Sequence, residues 1–126
     1  MNRELLNRHQ AAAAHRPFAS SIAALPLKFL AGAAAGIRMR VHIATTGPEP
    51  GNWLVDVDGR VCRVLLGSIP EPDARLYTDS EIGHSILNGD LSIQEALASR
   101  LLDYDGDPRE LRRFEACFQI EGPGER

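Results

Sequence analysis

The hydrophobic period of this chain changes at residue 37, and that change constrains the fold more than any other feature. Ile37, Met39, Val41 and Ile43 alternate with Arg38, Arg40 and His42. Successive strand side chains point to opposite faces, so this is a strand with one buried side and one basic, wetted side. Trp53, Val55 and Val57 alternate in the same way with Leu54, Asp56 and Asp58. Asp58-Gly59 is a two-residue hairpin signal, and residues 61–66 supply the returning strand. Pro70 and Pro72 keep the following segment out of a ladder, after which residues 73–77 form a short fourth strand. Four consecutive strands read as a meander.

Helical spacing brackets the sheet. Residues 1–16 read as an Ala-rich amphipathic helix or arm, with Leu5, Leu6 and His9 near one face, and Pro17 stops it because the residue before proline avoids helical geometry. A second helix is expected from Pro26, with Phe29, Leu30, Ala33 and Ala34 on its apolar face and Gly36 at its end. Beyond the strands, Thr78 or Ser80 caps a helix carrying Ile82, Ile86 and Leu87, which ends at Asn88-Gly89. Ser92 with Glu95 opens another, whose inner face holds Ile93, Ala96 and Leu97. Residues 101–104 form a fifth strand. Asp107, Pro108 and Glu110 then start a last helix, on which Leu111, Phe114 and Phe118 make one apolar stripe. The expected architecture is α+β, a largely antiparallel twisted sheet of about five strands with helices on one face.

A chain of 126 residues buries roughly two thirds of its surface, enough for one core. The division is an arm over 1–16, a single domain over 17–121 and a flexible tail over 122–126. Residues 1–42 carry six basic side chains against Glu4 alone, whereas the rest carries eight arginines against sixteen acids. The net charge of -3 argues against nucleic-acid binding, and no aromatic residue interleaves with Arg38, Arg40 and His42 to stack a single strand. The basic end suits an anionic membrane surface or an acidic partner. A signal peptide is rejected because the basic region is too long and Lys28 follows the apolar run. The apolar stretch is also too short and interrupted to span a bilayer. The expected location is cytoplasmic, at most peripheral to a membrane. Cys62 and Cys117 lie too far apart in sequence for a metal cluster or a disulfide framework. They read as buried thiols, with one bridge between them left open.

Signatures of catalysis are missing. The chain has no dinucleotide fingerprint, phosphate loop or zinc-protease motif, and no nucleophile elbow. Asp103-Tyr104-Asp105-Gly106-Asp107 fails as a calcium loop because Pro108 and Phe114 stand where glycine and glutamate are needed. Asp56 and Asp58 share a strand face open to water. No oriented third group accompanies that pair, and an enzymatic reading would rest on His42 with Asp56, or on His84. The expectation is a protein without catalysis, cofactor or metal.

Apolar binding remains. From Trp53 onward the order and spacing of several short motifs resemble the sterol carrier protein 2 (SCP2) superfamily. They are the hairpin from Trp53 to Val61, Gly67, Pro72-Asp73, Asp79-Ser80-Glu81, Asn88-Gly89-Asp90, Ile93-Gln94-Glu95-Ala96 and Gly106-Asp107. Two departures stand out. Ser99-Arg100 replaces the usual glycine and basic pair before the fifth strand, and residues 103–105 are acidic. The resemblance implies an SCP2-like lipid-binding domain over 17–121, with a hydrophobic tunnel between sheet and helices. Its occupant would be an apolar small molecule: an acyl lipid, a sterol-like lipid or an isoprenoid.

The inferred faces nominate Met39, Val55, Leu65, Ile86, Leu97, Phe114 and Phe118 as lining residues, with Trp53 closing one end. An apolar void above about 300 Å³ would mark a small-molecule site. The alternative is an accessory scaffold in a lipid or isoprenoid-quinone biosynthetic complex, touching a biosynthetic enzyme or the membrane. The Gly-rich segment 29–37 offers a surface through which two chains could pair as a homodimer.

Overall fold

The computed structural model describes residues 16–120. The expected N-terminal arm, apart from Arg16, and the tail over 122–126 lie outside the described residues. Helix α1 (Pro17–Ala23) begins at the proline that was expected to stop a helix. Proline fits the first helical position because its missing N–H has no intrahelical partner there. Phe18, Ile22 and Leu25 then fall on one side and are buried. From Leu25 the chain makes only a 3₁₀ turn to Lys28, followed by turns to residue 36, in place of the helix expected from Pro26. Of that helix's expected apolar face, Ala34 is fully buried, Phe29 is half-buried, and Leu30 and Ala33 are exposed.

Five strands follow the alternation of the sequence: β1 (Arg38–Thr46), β2 (Gly51–Asp58), β3 (Val61–Leu66), β4 (Ala74–Asp79) and β5 (Leu102–Asp105). The β2–β3 hairpin pairs Asp58 with Val61, so its loop is Gly59-Arg60, one residue later than expected. The order across the sheet is β3-β2-β1-β4-β5. It is not a meander. β4 leaves β3 and pairs parallel to β1, with Val41 opposite Ala74 and Thr46 opposite Asp79, while the other three pairings are antiparallel.

The parallel pairing explains a misread face. Segment 67–73 has to cross β2 and β1 on the outer side of the sheet. Arg75 on that side donates to Pro70 O at 3.0 Å, and Asp73 N–H donates to Arg40 O at 2.8 Å. His42 and Leu54, register partners on the same side, are consequently buried rather than wetted, His42 to 9% exposure. His42 Nε2 lies 2.8 Å from Asn52 Oδ1, and its Nδ1 has no partner. Charged pairs also stand on this face, Arg38 with Asp58, Arg63 with Asp56 and Arg75 with Asp105.

All four helices pack toward the inner side, where Met39, Val41, Val55 and Val57 are buried almost completely. Helix α2 (Ser80–Leu87) is capped by Asp79, whose side chain accepts from Glu81 N–H at 2.7 Å, rather than by Thr78 or Ser80. Helices α3 (Ile93–Ala98) and α4 (Pro108–Ala116) are capped by Ser92 and Asp107, as the sequence signals require. Glu110 turns to Arg113 at 3.1 Å instead of closing a reciprocal capping pair. The turn that departs from the family pattern proves to be a strained helix end. Arg100 follows α3 at φ 59, a left-handed conformation that favours glycine. Arg100 N–H and Leu101 N–H nevertheless bond back to Leu97 O and Ala96 O, as in a glycine-terminated helix.

Glu49, in the β1–β2 loop, ties three elements together. Its carboxylate accepts from Phe18 N–H at 2.8 Å and Ala19 N–H at 3.0 Å, capping α1 from 31 and 30 residues away. Its own N–H donates to Ser80 Oγ at 3.0 Å, and its carbonyl accepts from Thr45 Oγ1 at 2.7 Å. Replacing Glu49 by alanine removes the anion from the positive end of α1 and leaves two N–H groups without that partner. A loss of about 1–2 kcal/mol is expected, read as a lower urea midpoint. Arg100→Gly relieves left-handed strain of about 1 kcal/mol and is expected to raise the same midpoint.

Candidate ligand-binding site

Between sheet and helices lies a cavity of about 170 Å³. Its floor is one side of three adjacent strands, with Ile43 from β1, Leu76 and Thr78 from β4, and Leu102 from β5. Its roof is α2, the loop after it and the first residue of α3, through Gly83, Ile86, Leu87, Leu91, Ser92 and Ile93. Phe18 and Leu25 wall one end, and Phe114, Glu115, Phe118 and Ile120 close another. The cavity exists because the roof is short and thin. Helix α2 spans eight residues and meets α1 through Gly83, where a Cβ would fall 2.6 Å from the Phe18 ring. That contact brings the helices close without adding a side chain to the space below them.

Aromatic contacts fix the walls. Phe18 meets Trp53 edge-on at a centroid distance of 4.9 Å, which holds its ring at the cavity end. Phe114 and Phe118 meet edge-on at 5.2 Å, and Phe118 leans on Phe29 at 5.8 Å. Helix α4 ends at Ala116, so Phe118 is not on the helical stripe that its spacing suggested. An isolated antiparallel bridge between Phe29 and Phe118 buries it instead. Leu30 N–H donates to Cys117 O at 2.7 Å, and Gln119 N–H to Lys28 O at 2.8 Å. Lys28 Nζ donates to Leu87 O at 2.6 Å, satisfying the C-terminal end of α2.

The eight nominated residues divide. Ile86, Phe114 and Phe118 line the cavity. Trp53 stands behind Phe18, outside the wall, while Met39 and Val55 are buried in the β1–β2 half of the core. Leu97 packs against the core without reaching the cavity. Leu65 is opposite Leu54 in the ladder, on the outer face, and is 44% exposed. Sequence reading missed Phe18, Leu25, Leu76 and Glu115. The first two carried a signal, the spacing of Phe18, Ile22 and Leu25, obscured by taking Pro17 as a stop.

Polar and ionisable groups are few around the cavity. Thr78 Oγ1 donates to Leu101 O at 2.9 Å, and Ser92 Oγ accepts from Glu95 N–H at 3.0 Å. Glu115 is the ionisable exception, and its Oε2 accepts from Gln94 Nε2 at 3.2 Å. Burial pushes the Glu115 carboxyl above the usual range, against the opposing pull of Gln94 and Arg112. Burial also pushes the Cys62 thiol up to about 11, helped by nearby Cys117 and Asp56; both cysteines are free. The acid–base pairs considered from sequence are not formed: Asp56 is bound by Arg63 at 2.7 Å, His42 faces Asn52, and His84 Nδ1 lies 2.7 Å from Ser21 Oγ. Among the described residues no cluster of three or more His, Cys, Asp or Glu could hold a metal. No described helix is long and apolar enough to cross a membrane.

No protein-family model matches the sequence, and no curated protein matches it either. Solved structures do match. The UbiJ-SCP2 ubiquinone synthesis protein aligns over 93% of this chain and 92% of its own, with a TM-score of 0.52 and 13% identity. Palmitated SCP2L2 from Aedes aegypti aligns over 85% of this chain and 96% of its own, with a TM-score of 0.56 and 19% identity. The fold is SCP2-like, as in these two structures. The same SCP2-like fold occurs within the inverting sec-alkylsulfatase Pisa1 from Pseudomonas sp., with a TM-score of 0.67 and 18% identity over 79% of this chain. This chain spans only 16% of that protein's length.

The Glu115 shift fixes a pH dependence. A carboxyl whose pKa is higher folded than unfolded stabilises the fold while protonated, and that contribution is lost as pH rises through the folded pKa. Glu115→Gln is therefore expected to gain stability relative to the parent chain between pH 4 and pH 7, measured by urea denaturation at both values.

Proposed function

We propose that this protein binds the hydrocarbon part of a small apolar molecule without transforming it, and carries or presents that molecule to others. The observation that carries the reading is the apolar cavity under α2. At about 170 Å³ it is smaller than the roughly 300 Å³ expected of a drug-sized site, and that size favours a small occupant. A dry apolar cavity of about 150 Å³ takes up benzene. By the same measure this one holds a single ring or a chain segment of roughly six to eight carbons. This volume supports an acyl or isoprenoid segment over a whole sterol. Each buried methylene contributes about 0.8 kcal/mol before ordering costs, which makes a short chain sufficient for reversible binding. The fold shared with a palmitated relative supports the hydrocarbon part of this reading.

A second reading, an accessory protein that gathers substrate and enzyme in isoprenoid-quinone synthesis, is favoured by the near full-length alignment with the ubiquinone synthesis protein. It uses the same cavity to present the isoprenoid tail. Co-purification with an isoprenoid-modifying enzyme separates this role from free carriage.

The test is cavity filling. Titration with 1-octanol is expected to shift the methyl NMR signals of Ile86, Leu87 and Ile93, and Ile86→Trp is expected to abolish the shifts of Leu87 and Ile93 while preserving a cooperative melt. Parent spectra unchanged at millimolar octanol would refute the reading.

A further inference from the structure

We infer that the cavity selects its ligand by head-group charge, through Glu115, accepting a neutral hydroxyl head and turning away a carboxylate. The inference rests on the cavity being a ligand site, and it makes Glu115 a specificity-determining residue. Glu115 is the sole ionisable side chain among the described residues that line the cavity, and no Lys, Arg or His accompanies it there. Cations near the site are committed elsewhere or face water. Lys28 Nζ is held by Leu87 O at 2.6 Å, Arg113 by Glu110 at 3.1 Å, and Arg112 is exposed and outside the wall.

Hydrogen-bonding capacity points the same way. Gln94 occupies Glu115 Oε2, and no side chain among the described residues bonds to Oε1. That oxygen can accept a hydrogen bond from an alcohol O–H. A carboxylate head would bring a second acceptor, and a second negative charge, against an already partly desolvated carboxyl. Of the other polar wall residues, Thr78 donates its hydroxyl proton to Leu101 O, while Ser92 Oγ accepts from Glu95 N–H. The wall thus offers an anionic head no cation.

The experiment compares 1-octanol with octanoate at pH 7.5, by methyl NMR titration, on the parent chain and on Glu115→Gln. Octanol is expected to bind the parent chain at least tenfold more tightly than octanoate. Glu115→Gln, which keeps the shape and removes the charge, is expected to cut that ratio at least fivefold by improving octanoate binding. Octanoate binding within threefold of octanol on the parent chain overturns the inference, and so does an unchanged ratio in the variant. The ratio on the parent chain stands as a test even if the variant folds poorly. Binding of neither ligand overturns the cavity reading itself, an outcome distinct from loss of selectivity.

Discussion

The parallel pairing of β1 with β4 is the constraint from which the rest of the structure follows. A strand parallel to one two positions away along the hairpin requires a crossover, and only segment 67–73 is available to make it. Once that segment runs over the outer face, His42 and Leu54 are covered and the inner face is left to the helices. Helix α2 begins directly after β4, so its axis must turn back across the inner side of β4 and β1. Those strands supply the floor of the cavity and α2 its roof. A meander of the same strands would have put β4 beside β3 and the start of α2 over the wrong half of the sheet.

Local patterns were legible because strand alternation and helix caps are decided within a few residues. The alternation of β1 and β2, the glycine of their hairpin partner turn, and the caps at Ser92 and Asp107 all needed no knowledge of the fold. Pro17 was not legible, since proline both ends and begins helices. What decides its role is the Glu49 carboxylate, placed at the helix start by a loop about 30 residues away. Pro70 and Pro72 were equally ambiguous, as they exclude a ladder in a tight turn and in a crossover alike. His42 looked wetted because alternation records which side of a strand a residue occupies, not what later covers that side.

The site was half visible for a related reason. Periodicity identified the inner faces, and Ile86, Phe114 and Phe118 come from it. It could not tell which stretch of those faces is packed and which is open. Met39 and Val55 meet a filled core, whereas Leu76 and Ile43, on the same face, border empty space. The difference lies in Gly83 and the brevity of α2, features of a neighbouring element rather than of the strands. Glu115 was invisible because an acid beside an apolar stripe on a charged helix has the pattern of an ordinary surface residue.

The pairing of Phe29 with Phe118 gives the site an asymmetry of cost. The floor is welded by sheet ladders and the roof is anchored by capped helices. The aromatic end, by contrast, is held to the chain's early segment by two backbone hydrogen bonds and one ring contact. Breaking so few bonds is a local event that leaves the core intact. On the proposed reading, entry and exit of an occupant would require only the unzipping of this end, and the protein's overall stability and its exchange rate would be separately tunable quantities.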